Sequence, residues 1–305
     1  MSTAVLLMAH GTPSTLDQMP AYLTQVRGGR PPSDALVSEM RRNYGAIGGQ
    51  SPLTAITLQQ RDALADRLGP SVPVLAGMRH WHPFIADVLA PLAGSGVDHV
   101  LGIPLAPQFS SLSVQKYLEA AAQALPPGVR LDCVGSYHDH PLLLQAFAGQ
   151  VCRARERSEP DCVIFTAHSL PSRVIAGGDP YKDQVLETAR GVAAAVRLDR
   201  YDVAFQSAGR TPEPWIGPDV GEVVRERAAG GARRVLVAPI GFVCDHTEIL
   251  FDIDVQAREV ARACGVTLSR TESLNASPSF IDLLVALVRG KLAREAGPGG
   301  AGAAD

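Results

Sequence analysis

The sequence predicts an α/β protein built as two wound domains, each with a parallel sheet, facing each other across a central cleft. Three observations carry this. Short apolar runs alternate with helix-length amphipathic segments along most of the 305 residues, the rhythm of βαβ units with right-handed crossovers. The strand-like runs are near-continuous in Val, Ile and Leu rather than alternating, which suits strands covered on both faces. The plan also repeats. MAHGTP (Met8–Pro13) and TAHSLP (Thr166–Pro171) each follow an apolar run and set a histidine beside a small residue, with a proline three positions on. In the same way Val100–Leu105 matches Val235–Ile240, each an apolar run with a late proline.

In order, the first half reads as strand Ala4–Met8, helices Leu16–Arg27, Ser33–Tyr44 and Ala55–Leu68, strand Val72–Ala76, helix Pro83–Ala93, strand His99–Leu105, helix Ser113–Ala124, strand Arg130–Val134 and helix Leu142–Arg157. The strands are the short apolar runs; the helices are the longer stretches that mix apolar and charged residues. Ser158-Glu159-Pro160 is a short polar stretch ending in a proline that the preceding helix cannot easily continue through. It divides the chain into domains at 1–157 and 158–294. The second half reads as strand Cys162–Ala167, helix Pro180–Val196, strand Asp202–Gln206, helix Val220–Ala229, strand Arg234–Ile240, helix His246–Cys264, strand Val266–Ser269 and helix Pro278–Leu292. The last helix is expected to pack back on the first domain. The Gly- and Ala-rich residues 295–305 are expected to be disordered.

Composition sets the class. At 46% hydrophobic and 19% charged residues, the chain can bury a sizeable core. A net charge of -3 with interspersed signs and no basic block gives no case for nucleic acid. No apolar run approaches the ~18 residues that span a bilayer. The apolar start Ala4–Met8 lacks a basic segment before it, so it reads as a first strand, and a cytoplasmic location is expected. The five cysteines (Cys133, Cys152, Cys162, Cys244, Cys264) form no CxxC pair, and reduced thiols are expected. Neither GxGxxG nor a Walker loop occurs, which disfavours nucleotide binding.

Sites in wound α/β sheets form at the carboxyl ends of strands. His168 ends one such run, and His10 holds the equivalent place in the other half. A second candidate is Gly241–Glu248. There Asp245 and Glu248 fit a capping box. Asp245, Glu248 and Asp252 are also spaced to share one helix face, where the amino end of the helix favours anions. That face is expected beside His168. An imidazole and a carboxylate suit Fe²⁺, Zn²⁺ or Co²⁺, and two ligands with open positions suit a metal in transit. His80, His82, His138, His140 and His246 read as surface or structural residues. The polar, proline-rich run Gln206–Trp215 is expected to border the cleft.

At these residues the chain resembles the ferrochelatase family, enzymes that insert Fe²⁺ into a porphyrin. The matching strings are MAHGTP (8–13), IGGQSPL (47–53), LAPQFSSLSVQKY (105–117), TAHSLP (166–171), GDPY (178–181), FQSAGRTPEPWIGPDV (205–220) and GFVCDHTEILFDID (241–254), spread over nearly the whole chain. The resemblance implies two Rossmann-like domains of the class II chelatase type, acting as a monomer. The short length is similar to the soluble bacterial type that uses coproporphyrin III. It implies Fe²⁺ as substrate, no permanently bound cofactor and no Fe–S cluster. It places His168 and Glu248 at the iron and proton-handling site, with Asp252 on the acidic face leading there. It sets Arg27, Asn43, Tyr44, Ser51 and Tyr117 around the porphyrin and its carboxylates, and His10 on the opposite face of the macrocycle. The chain departs from that type at His10, Asn43 and Gln256, where the soluble bacterial enzymes carry tyrosine, arginine and an acid.

Metal entry requires the loss of two pyrrole protons and a tilted ring. A neutral His168 with a pKa near working pH is expected to accept a proton or briefly hold iron, tuned by Glu248. Three other readings are a protoporphyrin IX ferrochelatase, a cobalt or nickel chelatase for sirohydrochlorin, and a haem-binding protein without catalysis.

Overall fold

A computed structural model describes residues 2–209 and 211–296. Two four-stranded sheets, all parallel, repeat one topology. The first runs β2-β1-β3-β4, from strands Thr3–Ala9 (β1), Val74–Met78 (β2), His99–Pro104 (β3) and Arg130–Cys133 (β4). The second runs β6-β5-β7-β8, from Cys162–His168 (β5), Asp202–Gln206 (β6), Arg234–Pro239 (β7) and Thr267–Arg270 (β8). The first and fifth strands of the chain are therefore central in their sheets, and the two signature histidines stand at their carboxyl ends.

The continuous apolar run of β1 is explained by cover on both faces. Ala4 through Met8 are wholly buried. Val5 and Leu7 point into a core shared by the two halves, which includes Phe165, Leu236 and Ala238 of the second sheet. Leu6 and Met8 point the other way, onto Ile85 and Leu89 of helix α4 (Ile85–Leu89) and Tyr117 and Ala121 of α5 (Val114–Ala124). Truncating a side chain such as Leu7 to alanine costs ~2–5 kcal/mol at a site like this.

Ahead of these, α1 (Met19–Val26) and α2 (Asp34–Ala46) pack on each other and, with Trp81, form a small apolar cluster of their own through Met19, Tyr22, Leu23, Val37 and Tyr44. Helix α3 (Leu53–Leu68) follows. Helix α6 (Pro141–Ser158), which the sequence assigns to the first half, lies against β7, β8 and the second-half helix α8 (Tyr181–Ala195). Leu143, Phe147, Val151 and Ala154 bury it in the shared core. In return, the last helix, α12 (Pro278–Ala296), lies against α3 and α6, with an Arg67–Asp282 ion pair at 2.5 Å. It extends two residues into the stretch 295–305; the rest of that stretch lies outside the described residues. No helix among the described residues is long and apolar enough to cross a membrane.

Several local elements differ from the sequence reading. A short helix, α7 (Ser172–Ala176), follows the second signature histidine where no helix is expected. The segments Leu16–Arg27 and Pro83–Ala93 each contain a 3-10 turn, at Leu16–Gln18 and at Ala90–Leu92. After α9 (Val220–Ala229) and β7, the expected continuous helix His246–Cys264 is three pieces: α10 (Thr247–Leu250), a π-helical segment (Asp252–Ala257) and α11 (Arg258–Ala263). A pattern of apolar spacing cannot distinguish a π turn from an α turn over so few residues.

Candidate active site

A cleft of about 380 Å³ opens at the carboxyl ends of both sheets. Each wall is set by a close backbone approach. Gly11, just after His10, has φ +84°, and a Cβ there would sit 2.7 Å from Met78 Cβ and 2.9 Å from the Trp81 nitrogen. On the other wall, a Cβ on Gly241 would sit 2.6 Å from Ala167 Cβ, directly under His168. Glycine is required at Gly11 by both conformation and space.

His168 and Glu248 meet in this cleft, Nε2 to Oε1 at 3.4 Å. The Ser169 carbonyl accepts from His168 Nδ1, so Nε2 is the nitrogen turned to the carboxylate. Glu248 also faces His246 Nε2 at 3.5 Å, and its backbone carbonyl accepts from Gln206 Nε2 at 2.8 Å. Burial opposes charge on His168, but the Glu248 carboxylate, its hydrogen bond and the Ser169 carbonyl outweigh burial and raise the imidazole to about 9. Burial likewise opposes charge on Glu248, yet His168 and His246 hold it well below the ordinary carboxylate value. The surroundings therefore favour the charged forms of both partners, where the sequence reading expects a neutral His168.

His10 lines the same cleft from the other half, with Nε2 3.1 Å from the Tyr22 hydroxyl. Burial first, and then Arg79, lower it to about 4 despite the pull of Glu248. The surroundings of His10 thus favour its neutral form. Its ring leans on that of His80, centroids 4.6 Å apart. His80 is buried, and burial, His10 and Arg79 lower it to about 3. His80 was legible only as one of several histidines near a proline; its packing on His10 depends on the β1–β2 pairing that sets Ala9 opposite Met78.

The other predicted residues divide. Tyr44 and Tyr117 line the cleft. Burial keeps both phenols neutral, pushing Tyr44 up to about 12 and Tyr117 above its ordinary value. Ser51 is buried, with Oγ accepting from the Leu53 nitrogen at 3.4 Å at the start of α3. Arg27 is exposed at the end of α1, and Asn43 is half-buried on α2; neither lines the cavity. Asp252 stands at the head of the π segment, off the cavity wall, and accepts from Ser207 Oγ. Burial, with repulsion from Glu248, outweighs the Ser207 hydrogen bond and raises Asp252 to about 6.

Asp245 is not the helix cap. His246 holds that place, and Asp245 lies outside the helix, accepting from Ser273 Oγ at 2.7 Å and Asn275 Nδ2 at 3.1 Å. The expected face of three acids is therefore two. His246, expected to be exposed, is 14% exposed in its side chain and donates from Nδ1 to the Cys244 carbonyl. Trp215 brings the Gln206–Trp215 loop to the cleft wall. Among the described residues, no three His, Cys, Asp or Glu side chains converge as a metal-holding set, so His10, His168, Glu248 and Asp252 do not form one closed coordination sphere.

The sequence pattern of the family described as Ferrochelatase matches residues 2–292. The ferrochelatase of Herpetosiphon aurantiacus is 40% identical over 301 residues, covering 95% of this chain and 99% of the relative. That of Deinococcus radiodurans is 42% identical over 305 residues, covering 96% of each. The coproporphyrin III ferrochelatase of Anoxybacillus flavithermus is 39% identical over 305 residues, covering 95% of this chain and 96% of the relative. Among solved structures, SirB from Bacillus subtilis with Fe3+ superposes with a TM-score of 0.60 at 14% identity, over 97% of this chain and 98% of that one. CbiX, described as the terminal enzyme for biosynthesis of siroheme in denitrifying bacteria, gives 0.54 at 16%, over 94% and 98%. These two likenesses show a shared fold.

Proposed function

The chain belongs to the ferrochelatase family, and we propose that the porphyrin it metallates in haem biosynthesis is coproporphyrin III. As a ferrochelatase it is a metal-inserting enzyme, not a passive haem carrier. Support for the particular porphyrin comes from charge. Coproporphyrin III carries four propionates, where protoporphyrin IX carries two. Tyr22, Met40 and Tyr44 of α1 and α2 line the cleft, and the same two helices and the turn between them carry Arg27, Arg30, Arg41 and Arg42, all exposed. Arg79 adds a half-buried cation whose Nη1 reaches the carbonyl of cleft-lining Leu112 at 3.4 Å. Guanidinium groups at the rim suit a polyanionic ring. The relative from Anoxybacillus flavithermus, named for coproporphyrin III, points the same way. Such a water-soluble substrate suits a cytoplasmic enzyme with no resident cofactor.

The observation that carries the mechanism is the ion pair His168–Glu248 facing neutral His10 across the cleft. The porphyrin lies between them. Fe²⁺ is drawn to the Glu248 carboxylate, and its charge drives the proton from His168 out to solvent water, because a cation beside an imidazolium disfavours the protonated form. The imidazole freed in this way takes a pyrrole proton as iron enters from that face. The second pyrrole proton leaves by the carboxylates, where Asp252 at about 6 is poised to exchange with solvent. His10 approaches the metal from the other side with an available lone pair. Cleft walls hold the ring bent, at the expense of binding along its edges.

The test is anaerobic Fe²⁺ insertion with the two porphyrins in parallel. A higher kcat/KM for coproporphyrin III supports the proposal; a higher value for protoporphyrin IX overturns it.

A further inference from the structure

Arg270 ends β8 and is largely buried, with 13% of its side chain exposed. Its fork grips Asp254 from Nε at 3.0 and 3.1 Å and from Nη2 at 2.9 Å. Nη1 lies 3.1 Å from Asp245 Oδ1 and donates to the Thr271 carbonyl at 2.9 Å. In sequence Asp245 and Asp254 bracket Glu248 and Asp252. One guanidinium is thus tied to both ends of the segment that carries cleft-lining Glu248 and its neighbour Asp252. Asp245 is fixed further by Ser273 and Asn275, and the Asn275 carbonyl accepts from Gln60 of α3 at 2.9 Å, which joins the knot to the first half.

We propose that Arg270 is a positioning residue for iron insertion: by holding Asp245 and Asp254 at once, it sets the path of residues 245–254 and so the placement of Glu248 against His168. The need for such a staple follows from the backbone. Over Asp252–Ala257 the α ladder gives way to π turns, a rare form of helix found often at functional sites. α10 is only four residues long and cannot hold Glu248 alone. Only arginine has a planar fork that reaches two carboxylates with directed bonds; lysine offers one point charge.

The inference rests on the reading of Glu248 as an iron-handling group, so E248Q is assayed beside R270K. The account expects R270K to lower kcat/KM for Fe²⁺ roughly 10–100-fold, as for other groups that orient a metal-handling side chain. Porphyrin binding, read by fluorescence quenching, is expected to stay unchanged. R227K controls for loss of a forked ion pair as such: Arg227 grips Asp202 at 2.6 and 2.7 Å at the amino end of β6, away from the cleft, and its variant is expected to keep wild-type kinetics. Should R270K fail to fold, D254N is judged by the same criteria. Wild-type iron kinetics in the folded variant overturns the inference. So does a loss shared equally between iron and porphyrin, which a general loosening would produce. Wild-type iron kinetics in E248Q would instead remove the reading of Glu248, and this inference with it.

Discussion

His168 Nε2 stands 3.4 Å from Glu248 Oε1, while His168 Nδ1 is committed to the Ser169 carbonyl. The Glu248 carboxylate favours the imidazolium at His168, whereas burial favours the neutral ring at His10. The two halves of the chain supply the same residue type at the same topological position and push its pKa in opposite directions. The difference lies in the neighbours: a carboxylate beside His168, and burial with Arg79 near His10.

Because iron binding displaces the His168 proton, kcat/KM for Fe²⁺ is expected to rise as pH increases from 6.5 toward about 9. In E248Q the principal group raising the imidazole is gone, so the rise should shift to lower pH while its ceiling drops. A pH–rate profile of both proteins checks this. A wild-type rate that falls across the window would contradict it.

The same pair affects stability, with a definite sign. The folded-state value of His168 is raised, so its contribution is complete below 6.5 and is lost as pH climbs through about 9. That of Glu248 is depressed, so its contribution is present above 4.5 and is lost in acid. The Tm advantage of wild type over E248Q should peak between these values and shrink toward pH 9. Thermal unfolding across that range measures it.

Much of this was legible in the sequence, and what was not has identifiable causes. The strands β1, β3, β5 and β7 follow from apolar runs buried on both faces, whereas the polar, partly exposed β4 and β8 follow from their place in the alternation with helices. His10 and His168 follow from the repeated strand-end pattern. The role of Asp245 did not follow, because a capping box and a long-range knot with Arg270, Ser273 and Asn275 look alike over four residues. The π turns at Asp252–Ala257 are equally silent, since the segment's partners Ser207 and Arg270 are distant in sequence. His80 escaped for the same reason: its partner is 70 residues earlier in the chain and adjacent only through strand pairing.

His10 is expected to bind the iron of the product. Iron porphyrin formed on the wild type should show a histidine axial ligand by resonance Raman spectroscopy, and H10F should lack it. Identical spectra from the two proteins would remove His10 from the account.

Gly11→Ala should destabilise the protein by ~1–3 kcal/mol, through strain at positive φ and contact with Met78 and Trp81. The same shift displaces His10, so product-ligand spectra should broaden in the folded variant. Denaturant unfolding and spectroscopy together test the claim.

The R27A/R42A pair is expected to raise KM for coproporphyrin III by about 2–5-fold per arginine, the scale of an exposed ion pair. KM for protoporphyrin IX, with half the carboxylates, should move less. Equal shifts for both porphyrins would argue against rim arginines as the source of selectivity.

Anaerobic Fe²⁺ insertion by His168→Ala at saturating porphyrin is the most direct test of the central claim. The account predicts a fall in turnover of roughly 10²–10⁴-fold, with porphyrin binding retained. Turnover equal to wild type would contradict it.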